Sequence, residues 1–165
     1  MKIVSSSGTG NFIIKKESQA VLELKYQNWF SSKASTSFGG QSIEIRPKNI
    51  WCSKFDIFRS NQDKGDIIFN WKGHIIIRII DDDAKENSYL LKAKGFWKQH
   101  FELTNEKGDL VFVLKPSMNW KKLSYNYEVE KISDEYGEKM LTELLVYCGF
   151  GANLYMTMAA AAATG

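Results

Sequence analysis

Few residues in this 165-residue chain have the type and spacing that chemistry needs. His74 and His100 are its two histidines. Each sits in a strand-like pattern with no Cys, Asp or Glu at ligand spacing, whereas a closed zinc site takes four ligands. Asp81-Asp82-Asp83 clusters carboxylate oxygens that suit calcium, but without the spacing of an EF-hand loop; it reads as a solvated hairpin tip. The serines at 5–7 and 31–37 have no nucleophile elbow and no assembled base around them. No glycine-rich loop follows a strand and opens a helix, as phosphate cradles do. Cys52 and Cys148 lie far apart, one in a strand region and one in an apolar tail. They read as two buried free thiols in a reducing compartment. These residues point away from catalysis, cofactors and metals.

The surface chemistry that survives is basic. In residues 88–94 (SYLLKAK), Tyr89, Leu91 and Ala93 share one strand face and Leu90, Lys92 and Lys94 the other. With the apolar and aromatic set inward, Lys92 and Lys94 point outward, and Lys98 follows closely. Trp120-Lys121-Lys122 places an indole beside two cations at a loop, a combination found at membrane interfaces. Lys92, Lys94, Lys121 and Lys122 are therefore the candidate ligand-binding residues, and an anionic phospholipid or a protein surface is the candidate partner. The net charge of +3 is too small to imply nucleic acid.

The element that must position these groups is the tail. Residues 144–165 (LLVYCGFGANLYMTMAAAAATG) carry no side-chain charge. About 20 apolar residues suffice to cross a bilayer. A helix apolar on all sides can equally be buried inside protein. The composition favours the interior: Gly149, Gly151, Ala152 and the alanine run admit close neighbours, and Asn153 would lack partners in hydrocarbon. No Lys or Arg cluster flanks the segment. Ser133 and Asp134 are placed to cap its start, and Gly149-Phe150-Gly151 is expected to kink or split it.

Ahead of the tail, short β-type runs alternate apolar and polar residues, as in residues 20–28 (AVLELKYQN) and 41–46 (QSIEIR). Turn signals such as Asp63-Lys64-Gly65 and Glu106-Lys107-Gly108 join them tightly. About eleven or twelve strands in an antiparallel meander are predicted. A repeat runs through them. Trp51 opens WCSKFDIF and Trp97 opens WKQHFELT; each is followed by Lys-Gly-Asp and an aliphatic strand, with an offset of 46 residues before the turn and 43 after it. One hairpin used twice is the reading, with Phe55 equivalent to Phe101 and turn glycines at Gly65 and Gly108. An eight-stranded barrel is filled by its own side chains. One of twelve strands needs a filler, and an α-helix about 10 Å wide is what the tail supplies.

These hairpins, of the form aromatic–x3–Phe–acid–aliphatic with a Lys-Gly-Asp turn, ending in one hydrophobic C-terminal helix, resemble the tubby-like superfamily. The LURP-one-related and phospholipid-scramblase-like branch looks closest, over residues 12–165. The resemblance implies a twelve-stranded barrel around a central helix. Tubby proteins bind phosphoinositides through basic barrel residues, the scramblase-like branch is linked to membranes, and the LURP-one-like branch has no settled activity. No matching phosphoinositide motif stands in this chain.

The expectation is a mostly β, single-domain protein: a loose N-terminus at 1–11, a closed antiparallel barrel of about twelve strands at 12–132, and an enclosed helix at 133–165. Its function reads as non-catalytic binding or scaffolding on anionic phospholipid or a protein partner. The alternatives are a membrane protein anchored by the tail and a small-ligand carrier. The first 16 residues lack the apolar core of a signal peptide, which favours a cytoplasmic protein, peripheral at a membrane.

Overall fold

The computed structural model describes residues 1–28, 32–48, 52–70, 73–95, 98–131 and 133–164, with side chains to residue 162. Twelve strands form one closed antiparallel barrel: β1 (Lys2–Ser5), β2 (Phe12–Lys16), β3 (Gln19–Tyr26), β4 (Ala34–Phe38), β5 (Gln41–Pro47), β6 (Lys54–Arg59), β7 (Gln62–Phe69), β8 (His74–Ile80), β9 (Glu86–Lys94), β10 (His100–Thr104), β11 (Leu110–Asn119) and β12 (Ser124–Lys131). Each pairs with its neighbours in sequence, and β1 closes the ring against β12. A single helix, α1 (Glu138–Thr164), runs through the interior.

The N-terminus departs from expectation. Residues 1–11 are not wholly loose, because Lys2–Ser5 is the strand that seals the barrel, pairing Ile3 with Tyr127 on one side and with Ile14 on the other. The Ser/Gly-rich stretch hides a four-residue alternation in which Ile3 and Ser5 are buried. Four residues are too few for a periodic signal; closure, which removes two sheet edges, is what gives them a strand's role.

The alternation in each strand delivers the core. Phe12, Ile14, Leu22, Leu24, Ile43, Ile45, Phe55, Ile57, Ile75, Ile77, Leu91 and Phe101 all point inward and are buried. Against them lie Leu144, Leu145, Tyr147, Cys148 and Phe150 of α1. From 141 to 153 every helix residue is buried, on all sides, as a helix inside a barrel must be. Phe150 meets Phe55 edge-on at 5.0 Å and stacks on Tyr26 at 5.7 Å between centroids. Fully burying side chains of this size stabilises by about 1.5–3 kcal/mol each.

The helix is unbroken through Gly149 and Gly151, so the expected split is absent. A Cβ at Gly149 would lie 2.8 Å from Phe12 and 3.0 Å from Ile3, and one at Gly151 would lie 3.2 Å from Ile75. These glycines let the wall approach the helix. The start of the helix is also displaced. It begins at Glu138, with Gly137 O accepting from Leu141 N. Ser133 Oγ instead accepts from Glu135 N at 3.3 Å, so Ser133 and Asp134 belong to the approach and not to the cap.

The repeat is half right. Phe55 and Phe101 are both fully buried, and the strands carrying them share a register shift at the same place, between Ile57 and Phe58 and between Leu103 and Thr104. Their partner strands differ. Phe55 pairs with Ile67, but Phe101 pairs with Leu114, four residues beyond the sequence equivalent, Leu110. Gly108 has φ +84 in the turn, as expected. Gly65, at φ +138, lies inside β7 opposite Ile57, where an added Cβ would fall on the Arg78 carbonyl. The turn of that hairpin is made by Ser60 and Asn61, at φ +48 and +65. Trp51 and Trp97 lie outside the described residues.

Candidate functional site

Consecutive antiparallel strands send alternate connections to opposite ends of the barrel, and the helix tells the ends apart. At its start, Lys16 Nζ donates to Glu138 at 2.8 Å and Arg59 reaches Glu143. At its far end, Asn153 Nδ2 donates to Gly10 O at 3.2 Å, and Tyr155 lies against Gly73. The connections 17–18, 39–40, 60–61, 81–85, 105–109 and 132–137 therefore share one mouth. Its described residues include Glu17, Asp81, Asp82, Asp83, Glu106, Asp109, Asp134 and Glu135 against Lys85 and Lys107. The other mouth is framed by the described residues of the connections 6–11, 27–33, 48–53, 70–73, 95–99 and 119–123. Among the described residues these carry Lys33, Lys48, Lys98, Lys121 and Lys122 and no carboxylate.

The acidic mouth is tied down by a buried polar group. Arg59, 6% exposed, projects inward and donates both to Glu143 (5% exposed) on α1 and, at 3.0 Å, to Asp82 at the hairpin tip. Tyr147 Oη donates to Glu143 at 2.7 Å. Burial alone would lower the Arg59 pKa, but the Glu143 carboxylate outweighs it and holds the guanidinium above its ordinary value. Burial, reinforced by Glu143, pushes the Tyr147 phenol well up. Beside it, Asp81 organises the tip: its Oδ1 accepts from the backbone N–H of Asp83 and Lys85, and its Oδ2 from Asn87. The Lys85 N–H is the main reason its pKa falls below the usual value. The signal for Arg59 was in the pattern, since the alternation Phe55, Ile57, Arg59 places all three inward. Nothing local marks Glu143 as its partner.

The basic mouth is built differently. Three large apolar side chains are exposed there: Trp120 (77%), Leu123 (73%) and Met158 (53%). Leu123 and Trp120 flank Lys121 and Lys122 in the β11–β12 connection, and Leu123 lines a groove with Leu154 and Thr157 of the emerging helix. From Thr157 to residue 162 the helix is exposed. Lys98, Lys121 and Lys122 make no ion pair among the described residues.

The four candidate lysines come from two places in the fold, strand β9 and the β11–β12 connection. Lys92 and Lys94 do face outward from β9, as read from the sequence. They sit on the wall beside β10, where Lys92 is paired in register with Glu102 and Lys94 Nζ lies 3.7 Å from the Glu102 carboxylate. Lys121 and Lys122 stand past the end of β11, at the mouth itself. His74 and His100 begin β8 and β10; His100 Nε2 is 3.3 Å from Glu102. No group of three His, Cys, Asp or Glu able to hold a metal occurs among the described residues. Cys148 is fully buried, and burial pushes its thiol pKa well up, which makes it inert. Cys52 lies in a connection, not in a strand.

The fold thus defines a closed twelve-stranded antiparallel barrel threaded by its own C-terminal helix, with charge segregated between its mouths. Comparison with known protein families, with curated proteins and with solved structures finds no match to the chain.

Proposed function

We propose that the protein is a non-catalytic binding module that docks peripherally on anionic phospholipid through its basic mouth. The observation carrying this reading is the co-location, at one end of the barrel, of exposed Trp120, Leu123 and Met158 with Lys98, Lys121 and Lys122, which make no ion pair among the described residues. Apolar side chains between cations suit a surface that is greasy inside and negative outside. Each lysine near such a surface contributes about 1 kcal/mol. Lys92 and Lys94, on the wall and facing Glu102, add less. The architecture is also what the tubby-like resemblance implies, which supports a membrane-associated reading.

Geometry supports a shallow contact. The exposed residues 157–162 of α1 span about 9 Å at 1.5 Å per residue. That matches the 5–10 Å depth of interfacial elements. The whole helix is long and apolar enough to span by composition, but most of it lies inside the barrel. An anchor would therefore empty the core, whereas a shallow wedge costs the fold nothing.

Vesicle co-sedimentation tests this. Wild type is expected to pellet with anionic vesicles at low salt, to stay in solution with neutral ones, and to lose binding as salt rises. Replacing Lys92, Lys94, Lys121 and Lys122 with Ala should abolish pelleting in a protein that still folds, with the Lys121 and Lys122 changes contributing most. No binding by wild type at low salt overturns the lipid reading in favour of a protein partner. Equal binding to neutral vesicles overturns the role of the lysines.

A further inference from the structure

The barrel wall has a notch beside the basic mouth. β10 begins at His100 and its pairing with β11 stops at Phe101–Leu114, yet β11 continues to Asn119, still paired with β12 up to Asn119–Ser124. Among the described residues, 115–119 therefore have no partner on the β10 side. Pro116 lies in this unpaired edge, a position that suits a residue with no N–H to donate. A cleft of about 940 Å³ opens there. It is lined both by outward residues of the wall, such as Val113, and by Met156 of the central helix. It is a lateral opening onto the helix, distinct from the lumen, which α1 fills.

The lining is amphipathic. Pro116, Tyr125 and Met156 supply its apolar lining, and Lys98, Gln99, His100, Lys115 and Glu130 its polar lining. Lys115 is already paired with Glu130, and His100 faces Glu102. Lys98 is exposed and is the lining cation without an ion pair among the described residues. The volume falls within the range of small-molecule sites, which are mostly apolar with a few placed polar groups. We infer that this notch binds a single-chain amphiphile with an anionic head, its alkyl chain along Pro116, Tyr125 and Met156 and its head at Lys98. A neutral head would leave Lys98 without a partner, and a short acid would leave the apolar lining uncovered.

Two sources share that chemistry, a free fatty acid and an anionic lysophospholipid. Methyl-labelled methionine separates them by NMR in the absence of vesicles, so the outcome does not depend on membrane docking. Laurate and a 12-carbon lysophosphatidylglycerol are titrated below their micellar range. The Met156 methyl signal should move and saturate, while Met140, near the start of the helix, stays fixed. Saturation by both means that charge alone defines the head; saturation by one assigns the source. Lys98→Glu should weaken binding at least fivefold, and acetate should produce no shift. An immobile Met156, or equal movement of Met140, overturns the site. Dodecanol binding as well as laurate overturns the anionic head.

Discussion

The two mouths of the barrel handle the same problem in opposite ways. Each must end a helix that is apolar on all sides. At the acidic mouth the helix is fastened: Arg59 is held between Glu143 and Asp82, Tyr147 completes the group, and Lys16 pairs with Glu138. At the basic mouth the helix is held more lightly, by buried Asn153, which donates to Gly10 O and accepts from Tyr127 Oη, and beyond it residues 157–162 are exposed. The lesson is a division of labour. The charged groups that fasten the helix are buried at one end, where the other end has only the neutral Tyr127–Asn153–Gly10 link, and large apolar groups are exposed at that other end. Large exposed apolar groups clustered at one place mark a contact surface.

The largest test of this division is truncation. A fragment ending at residue 143 loses the helix segment that fills the lumen. It should show no cooperative thermal transition by circular dichroism, since total stability is only about 5–15 kcal/mol and a single buried Leu→Ala costs about 2–5. A chain ending at residue 156 should keep its transition. A cooperatively folded 1–143 fragment would break the comparison, because the acidic mouth would then fasten nothing that matters.

A smaller effect is expected from the buried pair. Arg59→Ala or Glu143→Ala leaves one charge buried alone and should cost about 3–5 kcal/mol in denaturant unfolding. The double change Arg59→Met with Glu143→Leu should recover most of that loss. If each single change costs less than about 1 kcal/mol, the pair is not what fastens the helix.

The smallest effect is in the acid limb. Asp81 has its pKa depressed by the Lys85 and Asp83 backbone N–H groups and by Asn87. A depressed carboxylate stabilises the fold above its unfolded pKa, near 4, and that contribution disappears as pH falls through the folded value. Between about pH 5 and pH 2 the wild type should therefore lose stability more steeply than Asp81→Asn. The basic-mouth change Lys121→Ala should leave the limb unchanged. Parallel limbs for wild type and Asp81→Asn would sink this assignment.

Much of this was legible in the chain. Alternation at Leu22 and Leu24, Ile43 and Ile45, and Tyr89 and Leu91 states which face is buried, because side chains on a strand repeat every two residues. The uncharged tail together with about twelve strands implied an enclosed helix, because a wide lumen and a helix without a polar face each need the other. Trp120-Lys121-Lys122 stood out by composition alone. What tertiary structure decided involves partners distant in sequence. Four residues at Lys2–Ser5 became a strand because the ring had to close. Gly149 and Gly151 serve close approach, which only Phe12, Ile3 and Ile75 reveal. Gly65 left the turn because β7 slid four residues relative to its sequence twin. Arg59 and Glu143, 84 residues apart, met because the helix threads the barrel from that end. Local pattern records which way a side chain faces; only the closed ring and the threaded helix determine what it faces.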